Sequence, residues 1–459
     1  MKQPPVVQRP KFIQTLQWVF RPMPYMEECA KHYGDIFYLK LSSFGSGVMV
    51  SNPQALQQIL SNDTKQFSAP GETNQIFEVF TGKYSVFTLS GAQHQRQRQL
   101  MMPPFHGDRM RTYAETIAKV TEEIMSRWQV GESFSARTAT QAITLRVIMQ
   151  AVFGLYEGPR AQQLEKLLGE MLDKGSSPLS VTMLYFPFLQ KDLGSWSPWG
   201  QFIRRREQVD RLIYEEIRER RANFDPSRTD ILNLLMAARD EAGEAMTDEE
   251  LRDELMALLT AGHETTATAL AWALYWIHKI PEVREKLLAE LDSLGDNPDS
   301  NAIFKLPYLN AVYCETLRIY PVGMLTFPRV VQEPVNLVGY DLQPGTVLLG
   351  SIYLTHQRED LYPEPKRFKP ERFLERQFSP YEFLPFGGGA RRCIGFAFAQ
   401  FEMKMVLAKV LSSLDLALAD DREVTPVRRG LVTAPNRSIQ LLVKGERKVK
   451  SRNLETVSS

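Results

Sequence analysis

The stretch Phe386-Gly387-Gly388-Gly389-Ala390-Arg391-Arg392-Cys393-Ile394-Gly395 runs straight into a helical segment from Phe396 to about Leu411, and its reading decides the rest of the chain. Three consecutive glycines allow positive φ and close backbone approach, so a loop of this kind before a helix forms a pocket lined by backbone N–H groups. Cys393 falls in that pocket, at the positive end of the helix dipole and two residues after Arg391. Both features favour a thiolate over a thiol, and a thiolate is a metal ligand or a nucleophile. The small residues Gly395, Ala397 and Ala399 leave room for something flat against the helix start, while Phe386 is placed to pack on the sulfur. A buried structural cysteine beside a tight turn is the alternative for the loop taken alone, and these surroundings argue against it.

Composition narrows the class without fixing the chemistry. The 459 residues show no Gly/Ser linker, internal repeat or low-complexity block at which to cut domains. Formal net charge is +1, from 55 basic and 54 acidic residues, so no bulk attraction to nucleic acid or to an anionic membrane follows. The cysteines are Cys29, Cys314 and Cys393, an odd number without metal-type spacing, which fits a reducing compartment. Met1-Lys2-Gln3-Pro4-Pro5 lacks the charged start and apolar run of a signal peptide, so a cytoplasmic location is expected. The one long apolar run, Leu255 to Ile277, has the length of a membrane span. It carries His263, Glu264 and several threonines at its centre, which reads as a buried helix instead.

Working outward along the chain, Pro24 to Tyr33 reads as a short helix, followed by a hairpin of Ile36–Leu41 and Gly47–Val50. Residues 70–90 mix Pro70, Gly71 and Gly82 with Phe77, Phe80, Tyr84 and Phe87, the composition of a loop over a ligand or of an irregular core segment. His94 and Arg98 share one face of the helix that follows, a spacing that alone says little. Tyr113 to about Met246 is helical in period, interrupted at Gly175 to Gly200 by a loop holding Leu179, Tyr185, Phe186, Phe188, Trp196 and Trp199. That aromatic surface suits a lid, a membrane contact, or a segment folded onto the domain.

Thr247-Asp248-Glu249-Glu250 is a capping box that starts the longest helix, which runs to about Lys279. At its middle lies Ala261-Gly262-His263-Glu264-Thr265-Thr266. A glycine there costs about 1 kcal/mol relative to Ala, so either something lies close to it or the helix opens. An acid beside a hydroxyl in such a helix is a satisfied core pair or a proton-handling pair. Glu315 and Arg318 are three apart on a helix ended by Pro321 and should pair, with Arg372 of Pro370-Glu371-Arg372-Phe373 as the further partner that a buried pair needs. Thr326 to Val331, Tyr340 to Ile352 and Gly430 to Val443 read as strands, and 444–459 as a disordered basic tail.

The cysteine loop resembles the haem-binding loop of the cytochrome P-450 family, Phe-x-x-Gly-x-Arg-x-Cys-x-Gly, at every fixed position. Ala261-Gly262-x-Glu264-Thr265, the Glu315-x-x-Arg318 helix and Pro370-Glu371-Arg372-Phe373 resemble that family's further motifs in the same order, and the likeness runs from about Pro24 to Val443. It implies a mainly α protein with small β-sheets (α+β), a single domain over 1–443, and haem b (iron protoporphyrin IX) between the long central helix and the Cys393 helix. Cys393 becomes the expected iron ligand. Phe386, Gly395 and Ala261 become haem neighbours, and His94, Arg98, Arg329 and Arg391 the expected propionate partners. His94 stands where many members carry tryptophan. Glu264 and Thr265 become the expected oxygen-activating pair, and Glu315, Arg318 and Arg372 a structural triad.

The implied function is a monooxygenase acting on a hydrophobic substrate such as a fatty acid, alkane or terpenoid, with electrons from separate ferredoxin and ferredoxin-reductase-type donors. A haem-thiolate isomerase or dehydratase acting on peroxides is the alternative, and the retained Glu264-Thr265 pair speaks against it. So does it against a non-enzymatic haem-binding protein. A monomer without a transmembrane anchor is expected, with peripheral membrane contact at 175–200 left open. Arg96, Arg392 and Lys404 are the expected cationic residues of the donor-docking face.

Overall fold

The computed structural model describes residues 2–41, 46–105, 109–154, 158–175, 182–184, 186–295 and 298–447. At its centre is a helix of 32 residues, Asp248–Lys279. The capping box forms as expected, with the Thr247 hydroxyl accepting from the Glu250 N–H and the Glu250 carboxylate accepting from the Thr247 N–H. Pro281 ends the helix and opens the next, Pro281–Asp292.

Most side chains of this helix are buried, and its neighbours include helices Ala136–Phe153, Pro198–Ala222, Pro307–Ile319 and Phe396–Ser413. These helices share one hydrophobic core. Gly262 is explained by close approach: a Cβ there would meet Ile148 Cδ1 of helix Ala136–Phe153 at 3.0 Å, and the central helix continues unbroken past it. No helix among the described residues is long and apolar enough to cross a membrane.

The sheets are small and lie at the edges of the helical body. The largest has five strands in the spatial order Ile36–Lys40, Ser46–Val50, Val347–Gly350, Arg329–Val331, Phe67–Ser68. The expected hairpin forms antiparallel, with Ile36 opposite Val50 and Lys40 opposite Ser46. Phe67 pairs with Val331 and Ser68 with Val330, so the chain after helix Pro53–Ser61 is drawn against the strand carrying Arg329.

Four readings need correction. A helix, Lys11–Phe20, precedes the expected one, which itself starts at Pro22. Tyr340–Ile352 is not one strand: Tyr340–Leu342 and Val347–Gly350 are separated by a turn at Gly345, and Ile352 begins a short helix. The last strand, Gln440–Glu446, passes the expected boundary at 443, and Arg447 then pairs with Asp292 at 2.5 Å. The expected disordered tail therefore starts too early, and 448–459 lie outside the described residues. Within 175–200, Leu179 and Tyr185 also lie outside them. Phe186 packs on Val19, and Trp199 meets Phe202 at 5.3 Å, whereas Phe188 and Trp196 stay exposed.

Candidate active site

The cysteine loop is built on its glycines. Gly387 and Gly389 hold φ of +65° and +64°, the left-handed region that other residues enter at a cost. The Cys393 N–H donates to the Phe386 carbonyl at 3.0 Å, which closes the loop on itself. Cys393 is accessible although protein surrounds it on every side, the state of a side chain facing an internal space. Gly395, Phe396 and Ala397 are partly open at the start of the same helix.

The central helix shows a matching window. Leu258, Ala261, Gly262 and Thr265 are partly open in the middle of this helix, as is Thr260, and the spacing i, i+3, i+4, i+7 places the first four on one face. Both helices belong to the main core and lie against each other.

Opposing influences act on the Cys393 thiol. Burial pushes its thiol up, against the Gly395 N–H and the charges of Arg98 and Arg392, which pull it down. Arg391 does not contribute, because it turns to the loop at 69–89 and donates to the carbonyls of Ala69, Val86 and Leu89. Arg329 is likewise occupied. It donates to the Asp63 carboxylate from Nε at 3.0 Å and Nη2 at 2.8 Å, to the Gly388 carbonyl at 2.9 Å and to the Phe327 carbonyl at 2.7 Å.

The two residues on helix Gly91–Met101 behave differently. His94 Nε2 is buried without a hydrogen-bond partner among the described residues, and the half-buried Arg98 side chain forms no ion pair with them. Burial, and then the charges of Arg391, Arg98 and Arg329, hold the His94 pKa down at about 3, so this imidazole is neutral. Gln97, one turn from His94, also has both amide atoms buried and unpartnered.

Glu264 and Thr265 are adjacent but differently engaged. The Glu264 carboxylate forms an ion pair with Arg137 and accepts from Gln141 Nε2 at 2.9 Å, both on helix Ala136–Phe153. The Thr265 hydroxyl donates to the Ala261 carbonyl at 2.5 Å. Phe77, Phe87 and Phe327 form an aromatic group, stacked at 5.0 Å for Phe77 and Phe87, with Phe327 within 5.7 Å of each.

The triad forms as the spacing implied. Arg318 and Glu315 have no exposed surface, and Arg318 donates to both carboxylate oxygens at 2.7 and 2.8 Å. Arg372 adds a bond to Glu315 at 3.2 Å. Two expected docking cations are not available: Arg96 is tied to Asp240 and Glu250, and Lys404 is 2% exposed and donates to the Phe304 carbonyl. Arg392 is exposed, with its guanidinium 4.3 Å from the Phe396 ring centre.

The family model for cytochrome P450 matches residues 4–443. The chain belongs to the cytochrome P450 family. Among curated relatives, the provisionally named cytochrome P450 135B1 of Mycobacterium bovis is 34% identical over 446 residues, covering 97% of this chain and 92% of that protein. The provisionally named cytochrome P450 138 of Mycobacterium tuberculosis is 32% identical over 421 residues, covering 90% of each. Among solved structures, retinoic-acid-bound cyanobacterial CYP120A1 superimposes with a TM-score of 0.84 at 22% identity, covering 97% of this chain and 100% of that one. The haem domain of cytochrome P450DA gives 0.81 at 22% identity, covering 97% and 98%. The last two share the fold.

As a cytochrome P450, the protein is a haem-thiolate monooxygenase whose cofactor is haem b. The residues present suit that group. The described residues contain no cluster of three or more His, Cys, Asp or Glu able to hold a bare ion, which suits a metal carried in a cofactor. Small residues open both helices, and the unpartnered His94 and Arg98 are of the type that binds carboxylates.

Sequence reasoning missed Asp63, Arg137, Gln141 and Phe327. None lies in a motif, and each acquires its partner only through the fold.

Proposed function

We propose that Cys393 is the thiolate that would hold the haem iron, and that the haem would lie between helices Asp248–Lys279 and Phe396–Ser413 of a single domain. The observation that carries this reading is an accessible cysteine enclosed by protein, with no cluster of three or more His, Cys, Asp or Glu among the described residues. Haem bound through a thiolate supplies the oxygen-activating chemistry. The chain's own residues set the conditions for it. Burial pushes the Cys393 thiol up, and a bound iron would favour its thiolate form. Arg98 and the neutral His94 Nε2 are the groups free to take the propionates.

Thr265 spends its hydroxyl proton on the Ala261 carbonyl, so toward the cavity it acts as an acceptor and orients water. Glu264 is the proton carrier, and Arg137 with Gln141 restrains its carboxylate. Proton delivery on this reading includes loosening the ion pair with Arg137.

The half-buried wall of Phe77, Phe87 and Phe327 favours an apolar substrate, with a fatty acid, alkane or terpenoid as the proposed class. Electrons on this reading come from separate ferredoxin-type donors that meet the exposed Arg392 on the Cys393 side. A cytoplasmic monomer is the matching cellular form, in line with three unpaired cysteines.

Turnover under isotopically labelled dioxygen tests this. The product should gain one labelled oxygen atom, the other should appear in water, and both should require reductant. Product formed without reductant would contradict the proposal.

A further inference from the structure

The acid nearest the cysteine loop is Asp63, two residues past the end of helix Pro53–Ser61. That helix is fixed by Asn52, whose side chain accepts from the Gln54 and Ala55 N–H groups, and it buries Ala55, Leu56, Ile59 and Leu60. A turn follows, with the Lys65 and Phe67 N–H groups donating to the Asn62 carbonyl, and the chain then pairs through Phe67 and Ser68 with the Arg329 strand. Asp63 is thus held between a packed helix and a paired strand, 7% exposed, opposite an Arg329 that is 1% exposed.

One oxygen, Asp63 Oδ2, accepts three bonds: Arg329 Nε at 3.0 Å, Arg329 Nη2 at 2.8 Å and the Ala390 N–H at 2.8 Å. Arg329 Nη2 in turn donates to the Gly388 carbonyl at 2.9 Å. The carboxylate and the guanidinium therefore grip neighbouring peptide groups of the loop that carries Cys393. The loop is shaped to admit them. A Cβ on Gly389 would fall on the Asp63 carboxylate, and one on Gly388 would meet Leu60 Cδ1 at 2.9 Å. Gly388 and Gly389 are in this sense the imprint of Leu60 and Asp63.

The same carboxylate is felt more widely. Asp63 supports the charged forms of Arg98, Arg329 and Arg391, three buried or half-buried arginines that otherwise repel one another or suffer burial. Arg329 forms bonds from all three of its nitrogens within the protein, leaving it poorly placed to bind a propionate directly.

We propose that Asp63 is a positioning residue for the iron ligand: paired with Arg329, it clamps the Gly388–Ala390 backbone and supplies the negative charge that balances the arginines around the haem. This rests on the reading of Cys393 as the thiolate ligand.

The test uses the haem-loaded full chain and three variants, Asp63→Asn, Arg329→Gln and the two combined. Asp63→Asn keeps the side-chain shape and removes the charge. It should shift the ferric/ferrous midpoint potential upward, most at low salt, and speed haem loss to a haem-free globin about tenfold. Arg329→Gln should shift the potential downward. The double variant, which removes both charges, should return the potential toward that of the parent, an outcome that simple loosening of the fold does not produce. If Asp63→Asn does not accumulate, accumulation of the double variant shows the same coupling. An unchanged potential and haem-loss rate in Asp63→Asn overturn the proposal, as does a double variant that recovers neither potential nor accumulation. Should the parent itself lack a thiolate-type carbonyl spectrum, the reading of Cys393 fails; a parent with that spectrum and an inert Asp63→Asn sinks the clamp alone.

Discussion

Replacing Glu315 with Ala is expected to be among the most damaging single changes outside the haem cavity. Its carboxylate accepts from Arg318 Nε, Arg318 Nη2, Arg372 Nε and the Lys369 N–H, and neither Glu315 nor Arg318 has exposed surface. Removing the acid leaves one guanidinium fully buried and a second largely so, without a counter-charge. Breaking a buried pair in this way costs about 3–5 kcal/mol, a large part of a domain stability of about 5–15 kcal/mol. The folded-to-unfolded ratio should fall by roughly 10²–10⁴. The damage should spread to the cysteine loop, because Arg318 also holds the carbonyls of His356 and Pro365, and Arg372 those of Pro363 and Arg367. Denaturant unfolding followed by circular dichroism, with haem content measured on the same samples, reads both effects. Glu364→Ala removes only the exposed pair with Arg367 and should leave the midpoint unchanged. A Glu315→Ala protein with the parent's midpoint and full haem content would refute the reasoning.

Four other outcomes are expected. Thr265→Ala should leave haem content and substrate binding intact while product per electron falls and hydrogen peroxide rises; coupling equal to the parent's would remove the hydroxyl from the proton path. Glu264→Gln should slow turnover on the order of 10²-fold, and Arg137→Leu, which frees the carboxylate, should change the solvent isotope effect on turnover; an unchanged isotope effect would mean that their ion pair is structural only. Gly82→Ala should destabilise the protein, because Gly82 holds φ of +87° and its Cβ would fall on the Asp253 carboxylate that accepts from the Tyr84 N–H; a parent-like midpoint would count against that contact. Finally, burial holds the pKa of His278 near about 4 and that of His356 near about 3, below the ordinary 6.5. The unfolded chain therefore binds more protons at these sites, so their contribution is complete above pH 6.5 and is lost as pH falls toward 3–4. Unfolding free energies measured across that window should show a slope that lessens in His278→Gln, and an identical slope would exclude His278 as a source.

What could be read from the sequence was local. The loop before Cys393, the capping box at Thr247 and the pairing of Glu315 with Arg318 depend on residues a few positions apart, where spacing alone fixes geometry. Asp63 and Arg137 depend on strand pairing and helix packing across more than a hundred residues, and nothing beside them in the chain signals a partner. The same limit misplaced charges: Arg96 and Lys404 were expected on a docking face, but one is claimed by Asp240 and Glu250 and the other is buried. Arg391 and Arg329 sit where the motifs place them, yet their guanidinium groups turn to protein acceptors that motif spacing cannot describe. At Cys393 the helix dipole and neighbouring charge can be read locally, whereas the burial that pushes its thiol the other way cannot.

The central claim, that Cys393 holds haem iron as a thiolate, is tested most directly by the absorbance of the reduced protein under carbon monoxide, for the parent and for Cys393→Ser side by side. The parent should show the thiolate-type carbonyl spectrum and the variant should not. A thiolate-type spectrum in Cys393→Ser, or its absence from a haem-loaded parent, would contradict the account.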